Sequence, residues 1–217
     1  MQPLDPDLHR IDVAPRHGGP RGLVLMLHGG KANGHERVGA GSLSWQRSRL
    51  MQRQIAGRLR SGGASVWLLR YTHRGWNAGA GTTPSPVTDA RWALDQVRAS
   101  ADLPVVLLGH SMGARTAVAV ADDPLVTGVV ALAPWLPGGE PVGTLRDRRL
   151  TAAHGRADRI TSYDATEAFV RRASAVARSA ELEDMGDRGH YMIRGQRAWN
   201  DLAVSRCLTF LHEHASR

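Results

Sequence analysis

Three things are scarce in this sequence. Cys207 is the only cysteine among 217 residues, so no disulfide can close within the chain and no disulfide framework fixes its redox compartment. Flanked by Leu202, Val204, Leu208 and Leu211, it reads as a buried structural thiol and not as a nucleophile. Long apolar runs are missing too: no stretch approaches the ~18 residues that a membrane-spanning helix requires. The first residues, MQPLDPDLHRIDVAP, carry acids and prolines where a signal peptide would have a basic start and an apolar core. A cytoplasmic protein without a membrane partner is expected. Lysine is the third scarcity, with Lys31 alone against many arginines, a formal net charge of +8 and a pI near 11. Such a charge invites a nucleic-acid reading. The arginines are spread through every predicted helix instead of clustering, so no nucleic-acid partner is expected, and attraction of an anionic substrate fits better.

What is present describes an ordinary globular chain: 42% hydrophobic and 22% charged residues, long enough to bury a substantial core as one domain over residues 1–217. Short apolar runs alternate with stretches of helical spacing. Strands are predicted at 8–13 (an edge strand), 23–27, 66–69, 103–108, 126–133, 150–153 and 181–185. Helices are predicted at about 45–59, capped by Ser44 and with Leu50, Met51, Ile55 and Leu59 on one face, then at 85–98, after Ser111, at 163–177 and at 197–214. This alternation implies an α/β fold: a mainly parallel sheet of about six or seven strands covered by helices on both faces.

The stretch LPVVLLGHSMGAR, residues 103 to 115, passes from a doubly buried strand into a helix through GHSMG. A serine at the tip of such a turn is held in a strained backbone with its hydroxyl projecting, at a cost of roughly 1–3 kcal/mol. Gly109 and Gly113 let strand and helix approach without striking the turn. The helix N-terminus sets free N–H groups beside Ser111, where an oxyanion would form.

A nucleophilic serine needs a base, and the base an orienting acid. HGRAD (154 to 158) presents Asp158 after one strand, and GDRGH (186 to 190) presents His190 after the last. Asp184 and Asp187 lie nearer His190 in sequence and are rivals for the acid.

With HGG at 28 to 30, GHSMG, HGRADRI and the late His190 in this order, the chain resembles the α/β-hydrolase superfamily in its compact, capless serine-esterase or dienelactone-hydrolase-like form. The resemblance covers nearly the whole chain. It implies Ser111 as nucleophile, His190 as general base and Asp158 as the acid. It also implies an oxyanion hole built from the Met112 N–H and that of Gly30, with Lys31 as the neighbouring alternative. Few residues precede the HGG strand, so the family's first hairpin is cut to one strand or absent. The segment from Pro134 to Arg149 is too short for a cap domain, which implies a shallow, open site.

Trp76 and Trp135 follow strands on the edge where Ser111 sits and are candidates for the acyl pocket, while Arg74 is a candidate for a substrate carboxylate or phosphate. Trp67, Trp92 and Trp199 read as core. His28 is expected to organise its own loop and His110 to point away from Ser111; His154, His73 and His35 can line the site without standing where the base belongs. No metal or cofactor is expected. The sequence reads as a serine hydrolase for a small or accessible carboxylic ester or thioester. The alternatives are perhydrolysis on the same triad or a non-hydrolysing binding protein of the same fold.

Overall fold

The apolar runs at 23–27, 66–69 and 105–108 become neighbours at the centre of one sheet in the computed structural model, which describes residues 6–14, 18–79, 81–100 and 102–215. The elements in chain order are β1 (Asp7–Ile11), β2 (Gly22–Leu27), α1 (Leu43–Ser61), β3 (Ala64–Arg70), α2 (Ser85–Ser100), β4 (Val105–His110), α3 (Met112–Ala119), β5 (Val126–Leu132), β6 (Arg149–His154), α4 (Tyr163–Ala173), β7 (Ser179–Asp184) and α5 (Gln196–Ala215). The seven strands are ordered β1-β3-β2-β4-β5-β6-β7, and all neighbouring pairs are parallel except β1 with β3. The expected α/β architecture is therefore present, with a single antiparallel strand, among the described residues, where the first hairpin would be.

Every residue of β2, β4 and β5 is buried, because a parallel strand covered on both faces has no polar side to show. The chain steps from β2 outward to β3 and then crosses back over β2 to β4. Right-handed crossovers in opposite directions put α1 and α2 on opposite faces. α1 then packs with α5, and α2 with α3. The connections leaving β2 and β4 thus diverge, and the crevice between the carboxyl ends of those two strands is where open α/β sheets bind ligands.

Edge strand β1 is held by a buried polar side chain: Gln52 of α1 donates to the carbonyls of His9 and Val66 at 2.8 and 3.0 Å. Cys207 is fully buried, and burial pushes its thiol well above the ordinary range. Trp67 and Trp199 lie in the core, and Trp92 packs against it.

Several local expectations shift. Ser42, not Ser44, is the N-cap of α1, and the helix runs further at both ends. Leu50 is 48% exposed, because the inward stripe is Trp45, Met51, Gln52, Ile55, Ala56 and Leu59, one step round from it. α4 stops at Ala173, and the chain turns through Ser174 before β7. β4 extends to His110, so the strand ends directly against Ser111. Between β5 and β6 only a single turn of 3₁₀ helix, Gly143–Leu145, interrupts the loop, and no cap is inserted.

Candidate active site

The elbow is built by close approach. A Cβ on Gly113 would lie 2.1 Å from the Leu27 carbonyl oxygen, and one on Gly109 would lie 2.4 Å from that of Gly113, so both positions need glycine for β4 to turn into α3 against β2. Ser111 has φ 55° and ψ −118°, a conformation that side chains other than glycine rarely adopt. Its N–H donates to Leu132 O at 3.1 Å, and its carbonyl accepts from Trp135 N–H at 3.2 Å. The strained turn is thus clamped by the end of β5.

His190 Nε2 lies 3.0 Å from Ser111 Oγ, and His190 Nδ1 lies 2.8 Å from Asp158 Oδ2. A carboxylate only accepts, so Nδ1 carries the ring proton and Nε2 faces the hydroxyl as an acceptor. Asp158 Oδ1 accepts from the N–H groups of Ile160 and Thr161 at 2.8 and 2.9 Å, which fixes the carboxylate in its own turn. Burial alone would raise the Asp158 carboxyl. Hydrogen bonds from His154, His190 and the two N–H groups outweigh it and hold the group well below the usual carboxylate range. The rivals stand elsewhere: Asp184 pairs with Arg156 at 2.7 Å and accepts from Gly186 N–H, and Asp187 is exposed.

The first N–H groups of a helix have no acceptor within it, and Met112 opens α3 beside Ser111. Of the two alternatives after β2, the Lys31 N–H is spent on Arg74 O at 2.9 Å. The Gly30 N–H donates to no acceptor among the described residues. A Cβ on Gly30 would meet Met112 Cε at 2.4 Å and Arg74 O at 2.5 Å, so the backbone can pass between the Met112 side chain and the loop after β3 only because residue 30 is glycine.

Trp76 and Trp135 come together edge to face, ring centroids 6.3 Å apart. Trp76 is buried and Trp135 partly exposed. The Arg115 guanidinium lies 4.2 and 4.6 Å from the two ring centres and pairs with Glu140 at 2.7 Å. Arg115 and Glu140 had no motif to announce them. Arg74 contributes its carbonyl to the loop, and its Nε donates to Arg37 O at 3.3 Å. No cap covers the site, yet Ser111 and His190 are only 7% and 6% exposed, because the elbow sits down among the strand ends and their loops.

The other histidines separate by environment. His28 is buried against Tyr71 and Trp45, with Nδ1 2.6 Å from Gly29 O, and burial pushes it down to about 4. His110 points away from Ser111, with Nε2 3.0 Å from His190 O, and burial pushes it down to about 3. His35 and His73 contact each other, ring centroids 6.2 Å apart. His154 is different: it reaches Asp158, with Nε2 3.2 Å from Oδ2. Thr161 joins the same cluster, with Oγ1 2.9 Å from Asp158 Oδ2. The i, i+4 spacing of His154 and Asp158 was the available signal for the first, and nothing local marked the second.

No curated protein matches the chain by sequence. Its backbone resembles an alpha-beta serine hydrolase homologue from Coxiella burnetii (15% identity over 93% of this chain and 91% of that one, TM-score 0.65). It also resembles a lidless serine hydrolase from Xanthomonas campestris (19% identity, 93% and 88% covered, TM-score 0.64). A third likeness is to the esterase Est2 of the planctomycete Thermogutta terrifontis in its propionate-bound form (18% identity, 97% and 90% covered, TM-score 0.71). A family model for the alpha/beta hydrolases matches residues 24–215, which takes in β2 from its third residue and every later strand together with the elbow, the acid turn and the late histidine, and the chain belongs to the alpha/beta hydrolase family.

Proposed function

We propose that this protein is a serine hydrolase that cleaves a small or accessible carboxylic ester or thioester through an acyl-enzyme on Ser111. The observation that carries the reading is the unbroken series from Ser111 Oγ to His190 at 3.0 Å and from His190 to Asp158 at 2.8 Å. His190 Nε2 takes the Ser111 proton as Oγ attacks the carbonyl carbon. The resulting oxyanion accepts from the N–H groups of Met112 and Gly30, and each such donor is worth about 2.7–4 kcal/mol in the transition state. The imidazolium, steadied by Asp158, returns its proton to the departing alcohol or thiol. A water molecule deprotonated by His190 then attacks the acyl-enzyme, the acid leaves, and Ser111 recovers its proton.

Trp135, backed by Trp76, forms one wall for the acyl group, and Arg74 stands beside the oxyanion loop, where an anionic substituent would pass. The 217 residues work as one cytoplasmic domain on a small-molecule substrate. The Thermogutta esterase has been seen with propionate and with butyrate, which supports starting with short acyl groups.

Hydrolysis of nitrophenyl esters graded by acyl length, with Ser111→Ala as control, tests the proposal. A fluorophosphonate should label the native protein and leave the alanine variant unmarked. Absence of labelling in folded native protein would favour a non-hydrolysing binder. Activity is expected to fall in acid, because a protonated His190 cannot accept the Ser111 proton.

A further inference from the structure

β6 ends on His154, and the turn that follows carries Asp158 back beside it. The His154 side chain has no exposed surface, and its two ring nitrogens have different neighbours. Nδ1 lies 2.7 Å from Thr166 Oγ1 in α4, and Nε2 lies 3.2 Å from Asp158 Oδ2. That oxygen is the one His190 Nδ1 approaches at 2.8 Å. Thr161 Oγ1 completes the group, 2.9 Å from Oδ2, 3.2 Å from His190 Nδ1 and 3.3 Å from His154 Nε2.

The proton arrangement follows from what each atom can do. Oδ2 only accepts, so a bare Nε2 would set two lone pairs against each other in a buried place; Nε2 carries a proton. Two imidazoles and a hydroxyl therefore converge on one carboxylate oxygen. A donor to a carboxylate draws off part of its negative charge and weakens its pull on the remaining donors.

We infer that His154 is a positioning residue of the site, acting through Asp158 to fix the carboxylate and to limit how tightly it holds a proton on His190. The inference rests on the triad reading of Ser111, His190 and Asp158. Other groups face His190. The His110 ring from β4 stands 5.0 Å away, the Tyr191 ring 5.5 Å away, and Arg47 of α1 lies over Tyr191 at 4.6 Å. The Asp158 carboxylate that His190 approaches is shared with a different pair of side chains, His154 and Thr161, and of the two only His154 is titratable. Without it, more negative charge on Oδ2 would stabilise the imidazolium of His190, and less of the neutral base would remain in mildly acidic solution. A side chain that merely fills space beside Tyr163, whose ring lies 5.9 Å away, would have no such effect.

The test is the pH dependence of kcat/KM for nitrophenyl propionate in the full chain and in His154→Phe, His154→Gln and Ser111→Ala. In His154→Phe the acid limb should move to higher pH by about half a unit or more, which lowers activity on that limb about threefold to tenfold. Glutamine reaches to about the place of Nε2 with an N–H donor and should bring the limb back. An unmoved limb in folded His154→Phe, with activity still dependent on Ser111, overturns the inference and leaves the triad reading standing. Activity that survives Ser111→Ala overturns the triad reading and the inference with it. Should the phenylalanine variant not fold, nitrogen-15 labelling of the histidines in the unaltered protein gives the same decision: a proton on His154 Nε2 upholds the inference, and a bare Nε2 overturns it.

Discussion

His110 Nε2 donates to the backbone carbonyl of His190 across 3.0 Å, so the residue next to Ser111 anchors the loop of the proposed base 80 positions along the chain. Ring and loop are packed together, with the two imidazole centroids 5.0 Å apart. His110→Phe keeps the ring and removes the donor. A buried carbonyl left without its partner costs about 1–3 kcal/mol. The variant should unfold at lower temperature, and kcat should fall about tenfold as His190 loosens, on the scale of a misplaced catalytic group. Unchanged values of both would show that the loop holds itself.

Gly30 should resist even the smallest side chain. Its Cβ would collide with Arg74 O at 2.5 Å, a backbone atom that cannot swing aside, as well as with Met112 Sδ at 2.6 Å. Gly30→Ala should move the oxyanion donors apart and reduce kcat by about a hundredfold, the scale of losing one donor, with a much smaller effect on KM. Nitrophenyl ester kinetics would read this, and a loss confined to KM would contradict the assignment.

Asp158→Asn leaves an oxygen to accept from Ile160 and Thr161 but removes the negative charge facing His190 and disturbs its tautomer. A loss of about 10⁴ in kcat is expected, as for the corresponding change in a serine protease. A loss below about tenfold would remove Asp158 from the role.

Arg115 is pressed against Trp76 and Trp135 and tied to Glu140. Lysine has no planar face to lay on the rings and no fork for the carboxylate. Arg115→Lys should free Trp135 to move, raising KM for the longer acyl esters severalfold while kcat for acetate esters stays near its starting value. Equal effects across the series would show that the tryptophan pair does not read acyl length.

Acid should destabilise the fold before it reaches ordinary carboxylates. His28 and His110 titrate near 6.5 in an unfolded chain but are pushed by burial to about 4 and about 3 in the folded one. Between those limits the unfolded chain binds more protons, so stability rises with pH, is complete above about 6.5 and is lost as pH falls toward 4. His28 alone accounts for on the order of 3 kcal/mol of that change. The Asp158 carboxyl has its folded value depressed, so its contribution is present above the unfolded value of 3.8 and is lost below it. The urea midpoint should drop steadily across this range, and a flat profile down to about pH 4.5 would mean these imidazoles are not buried as neutral groups.

The sequence alone determined the order of elements and the elbow. A strand buried on both faces must be apolar at every position, as Val105 to Leu108 are, and a turn this tight needs glycine at 109 and 113, so both left marks within a few residues. The proposed triad of Ser111, His190 and Asp158 could be named from the sequence because each follows a strand, in the order that the family resemblance implies. Helix α1 shows where such reading fails: Leu50 fits the apolar spacing yet is exposed, because only the packed neighbours decide which stripe faces inward.

What the tertiary structure decided are relations between distant residues. That the Lys31 N–H is spent on Arg74 O, while the Gly30 N–H donates to no acceptor among the described residues, depends on a loop from β3 lying alongside the loop from β2. The Arg115 clamp joins a helix to two loops, the one after β3 and the one after β5, and the three donors on Asp158 Oδ2 come from the end of β6, from the acid turn and from the loop after β7. Sequence patterns record what neighbouring residues require of one another. The sharing of one oxygen by His154, Thr161 and His190 is a requirement of the folded space, and it exists only once the sheet has brought those strand ends together.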